Sequence, residues 1–280
     1  MALPWWVPRV FGVASRLAPT ATGRLAAFAM LTPRQNPPQP WEVVPLLAGE
    51  VAPVPCRLAN GLAALHWTAP GAADGPWVFA HHGWEGRPSQ FRPLAGALLA
   101  RGFRVLAVEG PGHGRSPGRK ASPWLFAQAL LAAQADYGAP AAVIGHSMGG
   151  CAVPLALARG LRAGCAVTLG APAAMSEIVG SFAGALRLTP RSRQELQRQL
   201  DRHGGQPMQE LDPERLVAGL AVPGLVVHCR DDSIVHFTHA ERLAAAWPGA
   251  QTCWVDGLGH RNVLCAPRVV NQVADFIQGG

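Results

Sequence analysis

AAVIGHSMGGCAVPLALARG, residues 141–160, decides the fold. It begins as a short apolar run, turns sharply at a glycine-flanked serine, and continues as an apolar segment long enough for a helix. No Asp, Glu, Lys or Arg interrupts the chain from Gly138 to Ala158, a length that would suit a membrane-crossing helix. GHSMGG breaks that stretch in the middle, and Pro140 and Pro154 sit inside it. The better parse is strand (141–146), tight turn and helix (148–160).

Outward from this stretch the same alternation recurs. PWVFAHH (76–82), FRVLAVE (103–109), AGCAVTLG (163–170), GLVVHC (224–229) and AQTCWVD (250–256) read as strands. RPLAGALLARG (92–102), PWLFAQALLAAQADYG (123–138), HAERLAAAW (239–247) and PRVVNQVADFI (267–277) read as helices, several closing on glycine. Strands alternating with helices mean βαβ units and a mostly parallel central sheet with helices on both faces, an α/β fold. Right-handed crossovers then gather the loops at the strands' C-terminal ends, where such sheets bind ligands. Short extended runs at 41–47, 51–55 and 61–68 suit an antiparallel edge.

Two segments depart from the alternation. Residues 9–31 suggest one amphipathic helix ended near Pro33, and PRQNPPQP (33–40) a Pro-rich linker, so 1–40 reads as an arm packed on the domain 41–280 in preference to a membrane anchor. Residues 171–222 carry the most charged part of the chain and are helical around 190–203. They read as a small helical cap insertion above the sheet, with a solvated face that includes His203.

Gly145-His146-Ser147-Met148-Gly149 has the form G-x-S-x-G, placed between strand and helix as that motif requires. The turn should hold Ser147 in a strained backbone conformation, hydroxyl clear of the sheet. Side chains at 145 and 149 would collide with neighbouring backbone. The helix behind Ser147 offers unpaired N–H groups and the positive end of its dipole, so Met148 N–H can meet a developing oxyanion.

With HHGWEG (81–86), EGPGHGRS (109–116), GHSMGG (145–150), DDSIV (231–235) and GLGH (257–260) in that order, residues 75–278 resemble the α/β-hydrolase superfamily. The resemblance implies a serine hydrolase with catalytic Ser147, Asp232 and His260. His260 follows the last strand and a glycine-rich turn, the superfamily's place for its base. Asp232 has the spacing to Val235 seen in similar chains; its neighbour Asp231 is the alternative acid. Trp84, in an H-G-x loop, would give the second oxyanion N–H. Gly83, Trp84 and His146 join the substrate-binding set. The superfamily often has Gly at 229 and Pro at 236, where this chain has Cys229 and His236.

The remaining histidines have quieter roles. His66, His113 and His228 read as structural, His81 and His82 as braces of the 81–86 loop, and His236 and His239 as pocket-lining. GPGHGRS lacks the glycine at 115 and the G-K-[ST] of a phosphate loop. No metal-ligand spacing and no cofactor motif appear. The implied activity is cleavage of a carboxylic ester or related small-molecule acyl substrate through an acyl-enzyme. An acyltransferase or C–C bond hydrolase with the same triad, and a non-catalytic binding protein on the same scaffold, are the rival readings.

Composition narrows the partners. Of 280 residues 49% are hydrophobic and 15% charged, enough to bury a large core. The net charge is +7, nearly all from arginine, since Lys120 is the one lysine. With no zinc-finger or RNP-like motif, that charge does not point to nucleic acid. Six cysteines without a CxxC pair read as buried free thiols, and the N-terminal residues lack the charge order of a signal peptide. Sequence alone therefore suggests a cytoplasmic protein without stable membrane insertion, of unknown oligomeric state.

Overall fold

The computed structural model describes residues 4–38, 42 and 49–279. Eight strands form one sheet: β1 (Val54–Arg57), β2 (Ala63–Trp67), β3 (Trp77–His81), β4 (Arg104–Val108), β5 (Ala142–His146), β6 (Cys165–Leu169), β7 (Gly224–Cys229) and β8 (Gln251–Val255). Their order is β1-β2-β4-β3-β5-β6-β7-β8; β1–β2 and β2–β4 pair antiparallel and every other pair is parallel. The expected run at 41–47 lies outside the described residues apart from Glu42. The one at 51–55 begins pairing only at Val54.

The helices are α1 (Val7–Leu17), α2 (Pro19–Leu31), α3 (Arg92–Leu99), α4 (Pro123–Tyr137), α5 (Met148–Ala158), α6 (Met175–Ala185), α7 (Pro190–Gly204), α8 (Pro213–Val217), α9 (Thr238–Ala246), α10 (Gly259–Asn262) and α11 (Pro267–Gly279). Strand side chains alternate between two cores, as a sheet buried on both faces requires. Phe79, Leu106, Val143, Ala166 and Val226 pack with α4, α5, α8 and α9. Val78, Val105, Ile144, Val167 and Val227 pack with α3 and α11.

A third cluster lies above the sheet. Ala26, Ala27 and Leu31 of α2 pack with Val179, Ala183, Leu196 and Leu200 of α6 and α7. The single helix expected over 9–31 is two helices. Pro19 disfavours helical geometry at the residue before it, and Ala18 sits at φ −139°, ψ 66°. The N-terminal segment is therefore not a simple arm: α2 helps build the cap. Ser15 donates to Ser192 at 2.8 Å, and Ser15 is itself the acceptor for Thr189 N–H at 2.7 Å. Arg24 bonds Glu195 at 3.1 Å.

The α2–α7 crossing is close because residue 23 has no side chain. A Cβ there would lie 2.6 Å from the Ser192 carbonyl oxygen and 2.7 Å from Glu195 Cβ. Gly23→Val is expected to force α2 away from α7 and cost about 1–3 kcal/mol. Thermal melting, compared with a neutral exposed change such as Thr20→Ser, checks this. His203, expected in solvent, is half-buried at the end of α7, where burial lowers its pKa.

Candidate active site

The C-terminal ends of β3, β5, β6, β7 and β8 meet on one side of the sheet. Ser147 lies between β5 and α5 with φ 53° and ψ −118°, one of three non-glycine residues with positive φ among the described residues. That conformation is strained for serine and is held from outside. Ser147 N–H donates to the Leu169 carbonyl at 2.8 Å, and the Ser147 carbonyl accepts from Cys151 N–H at 3.1 Å. A Cβ at Gly145 would strike the Gly149 carbonyl, and one at Gly149 would strike the carbonyls of His81 and His82. Gly149→Ala is therefore expected to lose about 3 kcal/mol or more, read as a drop in urea midpoint.

Asp232 and His260 come together. His260 Nδ1 lies 2.7 Å from Asp232 Oδ2. The other carboxylate oxygen accepts from the N–H groups of Ile234 (2.8 Å) and Val235 (2.9 Å). Burial pushes the Asp232 carboxyl up, but the His260 hydrogen bond and charge, with those two N–H groups, outweigh it and hold the pKa below its ordinary 3.8. Asp231 turns elsewhere: its exposed carboxylate accepts from Gly257 N–H at 2.8 Å and from the Cys229 thiol at 2.6 Å. The Cys229 substitution thus ties the acid loop to the turn before His260.

The His260 ring lies over Gly170, where a Cβ would be 3.3 Å from Cε1 and Nδ1. Leu169, whose carbonyl holds Ser147, is the preceding residue. Among the described residues no hydrogen bond joins Ser147 Oγ to His260. His146 Nε2–H donates to the His260 carbonyl at 2.9 Å. Burial, then the nearby His260, lower the His146 pKa to about 3, so it stays neutral. Behind the acid, buried His228 donates to the Val235 carbonyl at 2.9 Å, its Nε2 3.4 Å from Asp232 Oδ2.

The 81–86 loop passes beside Ser147: a Cβ on Gly83 would be 2.8 Å from Ser147 Cβ. Two neutral histidines brace it. His82 Nε2 accepts from Gly110 N–H (2.9 Å) and its Nδ1–H donates to the Gly83 carbonyl (2.7 Å). His113 Nε2 accepts from Glu85 N–H (3.0 Å). Burial lowers both pKa values, which keeps each ring able to accept. Among the described residues the N–H groups of Trp84 and Met148 have no acceptor.

A cavity of about 700 Å³ opens over Ser147, Met148 and Trp84. Its walls include Met175, Val179 and Phe182 of α6. Leu25, Phe28 and Leu31 of α2, which the sequence reading had left out, also line it. The available signal was the small-residue spacing Gly23, Ala26 and Ala27, which marks a close helix crossing. Arg34 and Asn36 pair with the Glu85 carboxylate at 2.8 and 2.7 Å, so the segment after α2 is tied to the Trp84 loop.

Four residues differ from expectation. Gly83 and His146 do not line the cavity: Gly83 backs Ser147, and His146 is occupied with the His260 carbonyl. His236 and His239 do not line it either. His236 is exposed beside Thr238, and His239 is buried, accepting from Ala173 N–H at 3.3 Å. No metal-binding cluster of His, Cys, Asp and Glu occurs among the described residues.

The profile of the Alpha/beta hydrolase family matches residues 70–273. The chain belongs to the alpha/beta hydrolase family. Among solved structures it is similar to 2-hydroxy-6-oxo-6-phenylhexa-2,4-dienoate hydrolase from Rhodococcus (TM-score 0.60, 20% identity, covering 82% of this chain and 100% of that one). It is also similar to an esterase from Rhodococcus (0.56, 21%, covering 80% and 98%). It is also similar to a membrane phospholipase A described as a bacterial virulence factor (0.63, 14%, covering 98% of this chain and 93% of that one). At these identities the likeness to this alpha/beta hydrolase is one of fold.

Proposed function

We propose that this alpha/beta hydrolase is a serine hydrolase that cleaves a carboxylic ester or related acyl substrate through an acyl-enzyme. The observation that carries the reading is the 2.7 Å contact between His260 Nδ1 and Asp232 Oδ2, beside a serine held at φ 53°. Ser147 Oγ attacks the carbonyl while His260 Nε2 takes its proton, and the carbonyl oxygen becomes an oxyanion met by the Trp84 and Met148 N–H groups. Collapse expels the leaving group, which receives that proton from His260. Water, activated by His260 in turn, then releases the acid and restores Ser147. Asp232 fixes the tautomer with Nδ1 protonated, leaving Nε2 free to accept.

The apolar cavity supports an ester with a hydrocarbon acyl or alcohol group. The six unpaired cysteines, four of them buried, suit a reducing cytoplasm. A fluorophosphonate probe tests the assignment: covalent labelling is expected on the Ser147 peptide. Labelling at another residue, or none in folded protein, would overturn it.

A further inference from the structure

Helix α1 is amphipathic, with its apolar side facing outward. Its inner face packs through Val7, Phe11 and buried Ser15 against the cap. Trp6, Val10, Val13 and Leu17 fall within about 60° of one another at 3.6 residues per turn. All four are exposed, Leu17 by 81%, and Trp5 beside them by 74%. Five large exposed apolar side chains, two just before α1 and three along its outer side, mark an interaction surface rather than ordinary scatter.

The charge around this stripe selects the partner. Residues 1–40 contain Arg9, Arg16, Arg24 and Arg34 and no Asp or Glu. Arg9 and Arg16 flank one side of the stripe and have no carboxylate partner among the described residues; exposed Arg187 packs against Gly12 on the same helix. An apolar stripe with Trp at one end and arginines along its edge is the pattern of a helix lying in the plane of a lipid interface. The stripe is also joined to the cavity. α2 follows α1 after one residue, and its exposed Leu25 and Phe28 line the cavity, as does exposed Ile234.

We infer that the outward face of α1 docks this protein peripherally on an anionic lipid surface. Among the described residues no helix is long and apolar enough to cross a membrane, so the contact is one of lying on the surface. The sequence favours an arm packed on the domain over a membrane anchor; here the inner face of α1 packs while its outer face docks. That a docked enzyme would draw ester substrate from the lipid phase through the α2 side of the cavity rests on the esterase reading; the docking itself does not.

Sedimentation with vesicles tests the inference without any assay of activity. The full chain is expected to pellet with phosphatidylglycerol vesicles and far less with phosphatidylcholine, and to be partly released by salt. The triple variant Val10→Ser, Val13→Ser, Leu17→Ser is expected to lower the partition coefficient by at least about tenfold. Its melting temperature and its turnover of a short, water-soluble ester should stay as in the parent. Arg9→Gln with Arg16→Gln, an exposed change that leaves the stripe intact, should erase the preference for phosphatidylglycerol. Parent protein that stays in the supernatant with both lipids overturns the inference, as does a folded triple variant that pellets like the parent. A dimer in light scattering that the triple variant splits, with no vesicle binding, would assign the face to a second copy instead.

Discussion

Ser147→Ala is expected to lower ester turnover by about 10⁴ or more and to abolish fluorophosphonate labelling. The variant should fold. Ser147 is held through its backbone N–H and carbonyl, both of which alanine retains. Its positive φ is already tolerated by a residue with a Cβ, so the change adds no strain. The oxyanion donors and the cavity also persist, which leaves a residual rate above that in water. Progress curves at saturating substrate, alongside thermal melts of parent and variant, separate loss of chemistry from loss of fold. Near-parental turnover in the folded variant would remove Ser147 as nucleophile.

Asp232→Asn is expected to cost about 10³–10⁴ in turnover. The amide nitrogen would turn toward the imidazole, because the other carboxylate oxygen already accepts from the Ile234 and Val235 N–H groups and its replacement must still do so. His260 Nδ1 would then accept, Nε2 would carry the proton, and the base would face Ser147 in the wrong tautomer. Asp231→Asn should change turnover only a few-fold and cost about 1 kcal/mol or less, since an amide oxygen can still take the Gly257 N–H. The reverse ranking would move the acid by one residue.

The same substitution has a signature in acid. The folded-state pKa of Asp232 lies below its unfolded value, so its contribution to stability is present above about pH 4 and is lost as pH falls through the folded value. Urea unfolding of Asp232→Asn should show a shallower fall of stability over that acidic interval than the parent.

The sheet was legible because a parallel sheet imposes strong local signatures. Apolar runs of five or six residues bounded by glycine, each followed by a helical segment, have few other parses, and β3 to β8 lie where those runs are. The Asp232–His260 contact was legible for a related reason: each residue sits just past a strand end, and the topology brings strand ends together.

What the sequence concealed was contact between distant segments. The α1–α2 break follows from Pro19, a local signal that an amphipathic period over 9–31 masked. Gly23, Ala26 and Ala27 mark α2 for a close crossing, but its partner could not be read from α2 alone, because the crossing depends on Gly23 meeting the backbone at Ser192 of α7. His146 misled for a different reason. It stands next to the nucleophile in sequence, but strand geometry turns its ring toward the His260 carbonyl instead of the cavity.

The two-part roof has a consequence for transplanting specificity. Grafting only the 171–222 insertion from another hydrolase would import half of a binding chamber, set against a foreign partner at the Gly23 crossing. A chimera that changes substrate preference cleanly must exchange both pieces, the chain's beginning and its middle, as a matched set.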